Sequence, residues 1–157
     1  MHKLSNFLKL IRVNNLIIVI SIQLLMKFYL INPFVTNFSL GTTEFILYLI
    51  ATITIIAAGY IINDILDIKT DKINKSDRLI IDKHIPKKHA LRYYFILNII
   101  GISSGFNLAI MIGNIFLGFI FLYFILTLWV YSKKLKQAFL IGNLQVSFLT
   151  ALSIINI

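Results

Sequence analysis

The sequence predicts an all-α protein, a polytopic membrane helical bundle, and three observations carry that prediction. Hydrophobic residues fill 59% of the 157 positions and charged residues only 13%, against about 45–50% and about 25% in ordinary soluble domains. The apolar residues gather in runs long enough to cross a bilayer as helices, for which about 20 residues suffice. Between the runs, basic residues cluster by segment, as they do when charge sets membrane orientation. Fifteen Lys and Arg against six Asp and Glu give a formal charge of +9. In a soluble chain that balance would point to nucleic acid; here no nucleic-acid partner is expected, and the surrounding partner is membrane lipid. The lack of cysteine removes disulfides, thiolate catalysis and Cys-ligated metals.

Five spans follow in order, at 10–31, 45–62, 91–112, 115–130 and 139–157, in a single membrane domain over 1–157. The first, preceded by a basic segment, has the outline of a signal peptide. It lacks a small-x-small cleavage site, and Gln23 and Lys27 stand where one is expected, so it reads as a retained span. The loop at 32–43 carries no charge; Asn32-Pro33 breaks the preceding helix and Gly41 precedes the next. Glu44 opens span two, where an acid complements a helix N-terminus. Spans three and four are joined by the tight turn Gly113-Asn114. Within span three, Gly101 and Gly105 form a small-xxx-small pair around Ser103 and Ser104, which predicts close helix packing.

Orientation follows from the basic residues, which are retained on the cytoplasmic side. They fall as Lys3, Lys9 and Arg12 at the N-terminus; Lys69, Lys72, Lys75, Arg78, Lys83, Lys87, Lys88 and Arg92 after span two; and Lys133, Lys134 and Lys136 after span four. A cytoplasmic N-terminus puts all three segments on that side and both uncharged turns outside. Lys27, near the outer end of span one, is expected to snorkel to the interface.

Five of the six acidic residues, Asp64, Asp67, Asp71, Asp77 and Asp82, lie in one segment that abuts the apolar run of span two. At about 100° per residue, a helix continued through that segment gathers Asn63, Asp64, Asp67, Asp71, Asn74 and Arg78 on one stripe, with Ile65, Ile68, Lys69, Lys72 and Ile73 elsewhere. Like charges so placed repel unless a cation joins them. An oxygen-only donor set suits a hard ion, Mg²⁺ rather than zinc, and Mg²⁺ is often held by one or two carboxylates plus phosphate oxygens, so the stripe reads as a diphosphate dock. The plain alternative is a solvated loop whose acids balance its bases. The spacing does not fit an EF-hand. His2, His84 and His89 are scattered and do not form a metal pair on one helical face. Asn14, Asn15 and Gln23 either hydrogen-bond neighbouring helices or line a substrate cavity. Tyr131 and the lysines after it, judged alone, are an interfacial aromatic and basic anchors.

The stretch from Gly59 to Arg78, containing Asn63-Asp64-Ile65-Leu66-Asp67-Ile68-Lys69-Thr70-Asp71 and the downstream Asn74 and Arg78, resembles the first aspartate-rich motif, NDxxDxxxD, of the UbiA-type membrane prenyltransferases. Arg12-Val13-Asn14-Asn15 is similar to the family's basic N-terminal lead-in. Tyr131-Ser132-Lys133-Lys134-Leu135-Lys136 with Gly142-Asn143 is similar to its segment after the fourth helix. The resemblance implies an all-helical intramembrane enzyme that ionises an allylic polyprenyl diphosphate and transfers the prenyl group to a lipophilic acceptor, an aromatic quinone precursor or a glycerophosphate lipid. It implies Mg²⁺ as cofactor, with Asn63, Asp64, Asp67 and Asp71 as its ligands and Asp67 and Asp71 catalytic. Arg78 and Lys136 are implied to bind diphosphate oxygens, and Tyr131 to line the cavity where allylic charge develops. The implied location is a bacterial or archaeal cell membrane.

Ser76 and Leu79 stand where the family usually has Pro. Family members are longer, with about nine helices of the usual span length and a second aspartate-rich motif, whereas no acidic residue follows Asp82. The expectation is an incomplete, N-terminal-half domain, with a second chain supplying the other half; the rival is a non-catalytic membrane protein.

The charge distribution makes a topological prediction. Single cysteines introduced into this Cys-free chain at Asn37, Lys83 and Asn114 should react with an impermeant thiol reagent in intact cells at Asn37 and Asn114 only. Labelling at Lys83 alone would reverse the orientation.

Overall fold

The computed structural model describes residues 2–31, 40–74 and 79–133; the expected span at 139–157, with Arg78 and Lys136, lies outside them. The helices are α1 (His2–Leu10), α2 (Val13–Leu25, continued by π-helical turns over Met26–Ile31), α3 (Thr42–Asn74), α4 (Lys87–Ile112) and α5 (Phe116–Lys133). Helix is the form an apolar segment must take in lipid, because every backbone N–H and C=O has to be bonded within the segment. The hydroxyls inside the spans follow the same rule: Thr52 donates to Tyr48 O at 2.8 Å and Thr54 to Ile50 O at 2.7 Å. Among the described residues three helices, α3, α4 and α5, are long and apolar enough to cross a membrane, and α1 with α2, bent at the break between them, counts as a fourth where the pair is taken as one span. The chain is an integral membrane protein.

The first span differs from its expected limits. Rather than one helix over 10–31, the chain breaks at Arg12, whose backbone is left-handed at φ 52° and ψ 55°, and the two parts meet at 60°. Leu10 therefore ends α1, fully buried. Hydropathy counting passes over such an elbow because a run begun at Leu10 takes in Arg12 without registering the backbone turn there. Lys27 differs too. Instead of snorkelling it is buried, its Nζ donating to Leu40 O at 2.7 Å and Gly41 O at 3.2 Å and lying 4.4 Å from the Phe45 ring centroid. It satisfies the Leu40 carbonyl just ahead of α3 and adds a second bond to Gly41 O, which also accepts from Phe45 N–H at 3.0 Å.

The α4–α5 turn is made as its residues require. Gly113 is left-handed at φ 79°, Asn114 N–H reaches Ala109 O at 2.9 Å and Gly113 N–H reaches Ile110 O at 3.0 Å, the paired bonds of a Schellman close. Asn114 Oδ1 then accepts from Phe116 N–H at 3.1 Å, capping α5.

Helix α3 lies between α2 on one side and α4 and α5 on the other, and two cores form along it. At the end away from the basic residues, Tyr48, Ala51 and Ile55 pack with Leu108 of α4 and Phe121 and Phe124 of α5. At the basic end, Ile61, Ile65 and Ile68 pack with Leu10 of α1, Ala90 of α4, and Ile81 and Ile85 of the connecting segment. That segment is folded, not merely a charged loop: Ile80 O accepts from His84 N–H at 2.9 Å and Ile85 N–H at 3.1 Å. Lys72 Nζ pairs with Asp82 Oδ2 at 3.1 Å.

The two glycines of span three serve the close approach expected of them. A Cβ at Gly101 would lie 2.6 Å from Ile55 Cγ1 of α3, and one at Gly105 would enter the Phe121 ring of α5. Gly105→Ala should cost about 1–3 kcal/mol, the usual penalty for overpacking, read as a lowered unfolding midpoint in detergent. Adding Phe121→Leu should recover part of the loss, since residues in contact do not behave additively. An unchanged midpoint for Gly105→Ala would remove the close approach.

Candidate functional site

Because α3 runs unbroken to Asn74, Asn63, Asp67 and Asp71 repeat every four residues along one face, with Asp64 at its margin. All four are half-buried. On one flank Ile61, Ile65 and Ile68 are buried in the basic-end core, while Leu66, Lys69, Thr70 and Ile73 on the other are exposed. The stripe thus follows the line where α3 emerges from its packing.

Asp64 has a partner that spacing could not reveal. Arg12 Nη2 donates to Asp64 Oδ1 at 3.0 Å, with the two side chains 44% and 22% exposed. The same guanidinium stands 4.8 Å from the Tyr60 ring centroid, and Asn15 Nδ2 donates to the Tyr60 hydroxyl at 3.3 Å. Three contacts therefore tie the α1–α2 elbow to α3 at Tyr60 and Asp64, around the start of the stripe. Inside the elbow is a cleft of about 620 Å³ whose lining includes Leu4, Leu8, Lys9, Arg12, Asn14 and Asn15. Of the residues read as either packing or cavity-lining, Asn14 and Asn15 line this cleft, whereas Gln23 is buried. Tyr131 is half-buried near the C-terminal end of α5, beside the buried Ser132, which donates to Leu128 O at 2.9 Å.

The sequence reading placed Arg12 in a basic lead-in and Asp64 among metal ligands; it missed that they pair. They are 52 positions apart, and Asn15 and Tyr60 are 45 apart. The signal within reach was that a basic residue and the first Asp of the stripe both sit at the edge of a span.

Among the described residues, no group of three or more His, Cys, Asp or Glu side chains is gathered to hold a metal ion. The donors on the stripe are oxygens on a single helical face. They fit Mg²⁺, which keeps waters and takes one or two carboxylates with phosphate oxygens rather than a protein cage.

An apolar helical bundle with an NDxxDxxxD stripe at the edge of its central helix defines a class, the polytopic membrane proteins with a polar site at one end of the bundle. The chain belongs to the UbiA prenyltransferase family, whose description matches residues 17–156. It is 38% identical over 110 residues to a digeranylgeranylglyceryl phosphate synthase of Sulfurisphaera tokodaii, covering 70% of this chain and 38% of that protein. It is 36% identical over 150 residues to one of Methanocaldococcus jannaschii, covering 96% and 50%. A solved structure described as giving structural and mechanistic insights into the biosynthesis of digeranylgeranylglyceryl phosphate synthase in membranes superposes with a TM-score of 0.77 at 30% identity, covering 98% of this chain and 52% of that one. The chain thus spans half or less of the length of these curated relatives.

The Arg12–Asp64 pair is partly exposed, and such pairs contribute about 0–1 kcal/mol. Arg12→Gln and Asp64→Asn should each lower stability by less than about 1 kcal/mol, with a double-mutant coupling of the same order. A loss of several kcal/mol from either would mean that the elbow depends on this contact for folding.

Proposed function

We propose that this chain forms the diphosphate-holding part of an intramembrane prenyltransferase that transfers a geranylgeranyl group to a hydroxyl of a glyceryl phosphate lipid. The observation that carries the reading is the half-buried stripe Asn63, Asp67 and Asp71 on α3, at the edge of an apolar span. A donor with an anionic head and a long hydrocarbon tail has the matching division. The resemblance by itself left an aromatic acceptor equally open; the names of the relatives favour the glyceryl phosphate.

In that reaction the allylic C–O bond breaks with its electron pair leaving on the diphosphate. The acceptor hydroxyl oxygen then forms an ether bond to the allylic carbon and gives up its proton. Asn63, Asp67 and Asp71 hold Mg²⁺, which when bound supplies positive charge to the departing oxygens. Arg78 and Lys136 are assigned to further diphosphate oxygens by charge-assisted hydrogen bonds, and Tyr131 to the wall of the cavity. Asp64 supports the site from its ion pair with Arg12. The apolar faces of the spans exclude water from the allylic centre. By the distribution of Lys and Arg, the site faces the cytoplasm, in an archaeal or bacterial cell membrane.

Mg²⁺ and geranylgeranyl diphosphate added together should raise the unfolding midpoint in detergent, because a ligand bound only by the folded state stabilises it, by about 2.7 kcal/mol at a hundred times its Kd. Asp67→Asn should abolish the rise while leaving the protein inserted. An undiminished rise in that variant would reduce the stripe to charge balance.

The 157 residues by themselves carry one aspartate stripe, and catalysis needs charge stabilisation already in place where charge develops. Transfer of labelled geranylgeranyl groups to a glyceryl phosphate lipid should therefore be absent with this polypeptide alone and appear on co-expression with the C-terminal half of a related synthase. Robust turnover by the polypeptide alone would show that copies of it complete the site. No turnover in either case would favour a non-catalytic membrane protein.

A further inference from the structure

We infer that the outward side of the α4–α5 pair holds an anionic lipid of the leaflet at the basic end of the bundle, its phosphate head between Arg92 and Lys133 and a hydrocarbon chain in the trough between the helices. The inference does not rest on the prenyltransferase reading. Its first observation is a register. The rings of Phe106 on α4 and Phe119 on α5 meet edge-to-face with centroids 5.5 Å apart, and from that contact the two antiparallel helices run toward the basic end. Seven residues along each, Ile99 stands level with Leu126; eleven along, Phe95 with Val130; fourteen along, Arg92 with Lys133. At about 100° per residue these steps come within about 40° of whole turns, so all six residues share the side of their helix that carries the ring pair. The second observation is that this side is open. Ile99 and Leu126 are 62% and 63% exposed, Phe95 60% and Val130 37%. Arg92 and Lys133 are exposed as well, and among the described residues neither enters an ion pair. Lys133 lies instead 4.7 Å from the ring centroid of Trp129, an aromatic of the kind enriched at headgroup depth.

Size and charge select the occupant. Fourteen residues of helix are about 21 Å long, and half the hydrocarbon core of a bilayer is about 15 Å thick. A lipid whose phosphate is level with Arg92 and Lys133 therefore lays its chain over Phe95, Ile99, Leu126 and Val130 and ends short of the ring pair that bridges the helices. Two cations at one depth favour a head with net negative charge, because the ammonium of a zwitterionic head is repelled by them. Each cation near an anionic lipid surface favours binding roughly fivefold. Other occupants answer the apolar strip but not the charge. Residues 139–157 carry no charged side chain, and a second copy docked about a two-fold axis brings the same cations with it.

The test uses the full 157-residue chain in phosphatidylcholine vesicles and reads the fluorescence of Trp129, the one tryptophan in the sequence, which is 39% exposed. Phosphatidylglycerol brominated in its chains, which quenches a tryptophan it touches, should do so at about tenfold lower mole fraction than phosphatidylcholine brominated in the same way, as two cations at roughly fivefold each allow. Arg92→Gln combined with Lys133→Gln should remove that preference, each variant being read against its own unquenched intensity. Arg92→Lys combined with Lys133→Arg, which keeps both charges, should retain it. So should Lys69→Gln combined with Lys83→Gln, which removes two exposed cations from the same end of the molecule but from outside the trough. Equal quenching by the two lipids in the wild-type chain would overturn the inference, leaving ordinary boundary lipid. A preference that survives the loss of Arg92 and Lys133, or that is lost with Lys69 and Lys83, would overturn it in favour of overall charge. No quenching by either lipid would overturn it as well, because protein would then fill the trough, residues 139–157 or a second copy.

Discussion

A helix that enters lipid cannot stop there with its backbone groups unbonded, and α3 stays helical for 33 residues. At about 1.5 Å per residue it is about 50 Å long, while the hydrocarbon core of a bilayer is about 30 Å thick. Some 20 Å of α3, roughly, must project beyond the lipid. The projecting part is the C-terminal one, because the long apolar stretch runs from Phe45 to Ile62 and the acidic stripe begins directly after it at Asn63. The acidic stripe therefore starts where the hydrocarbon ends. Its residues keep helical register because the element that carries them is already committed to helix inside the membrane.

A projecting rod has to be held from the side. Two turns do this, and each contains a residue with positive φ that is not glycine: Arg12 at 52° and Asp82 at 69°. Such conformations are uncommon for side chains other than glycine and persist where the surroundings impose them. Each of the two residues forms an ion pair to α3, Arg12 with Asp64 and Asp82 with Lys72. Partly exposed pairs of this kind are weak, about 0–1 kcal/mol. The burial of Leu10 ahead of Arg12 and of Ile81 ahead of Asp82 supplies the larger part of the attachment, with the ion pairs fixing register. The apolar face of the projecting segment is covered by these anchors, and the polar stripe remains half-buried beside them.

The features legible in the sequence were those with local signatures. The spans at 91–112 and 115–130 came within a few residues of α4 and α5 because apolar length and a Gly-Asn turn are local. The continuation of span two into the stripe followed from a period of about 100° per residue. The packing of Gly101 and Gly105 followed from their spacing. The elbow was not legible, since a left-handed backbone at one residue leaves no mark on hydropathy. Nor was the Arg12–Asp64 pair, which joins residues brought together only by the packing of α1 and α2 on α3. The burial of Lys27 was not legible for the same reason: its carbonyl partners lie 13 and 14 positions away in the sequence. The segment at 79–86 was read through its charges, whereas the residues that bury it are Ile81 and Ile85, on either side of those charges.

The placement of the stripe also limits what it can serve. Deeper in the span, paired carboxylates and a diphosphate would lose their hydration, at a cost far above that of any single contact in the bundle. Farther out, beyond the folded turns, the same groups would be fully solvated and would attract a divalent ion and its anion only weakly, because water screens them. The edge of the hydrocarbon lies between these limits: a charged head held there would keep some water while a hydrocarbon tail attached to it continued directly into lipid or between helices.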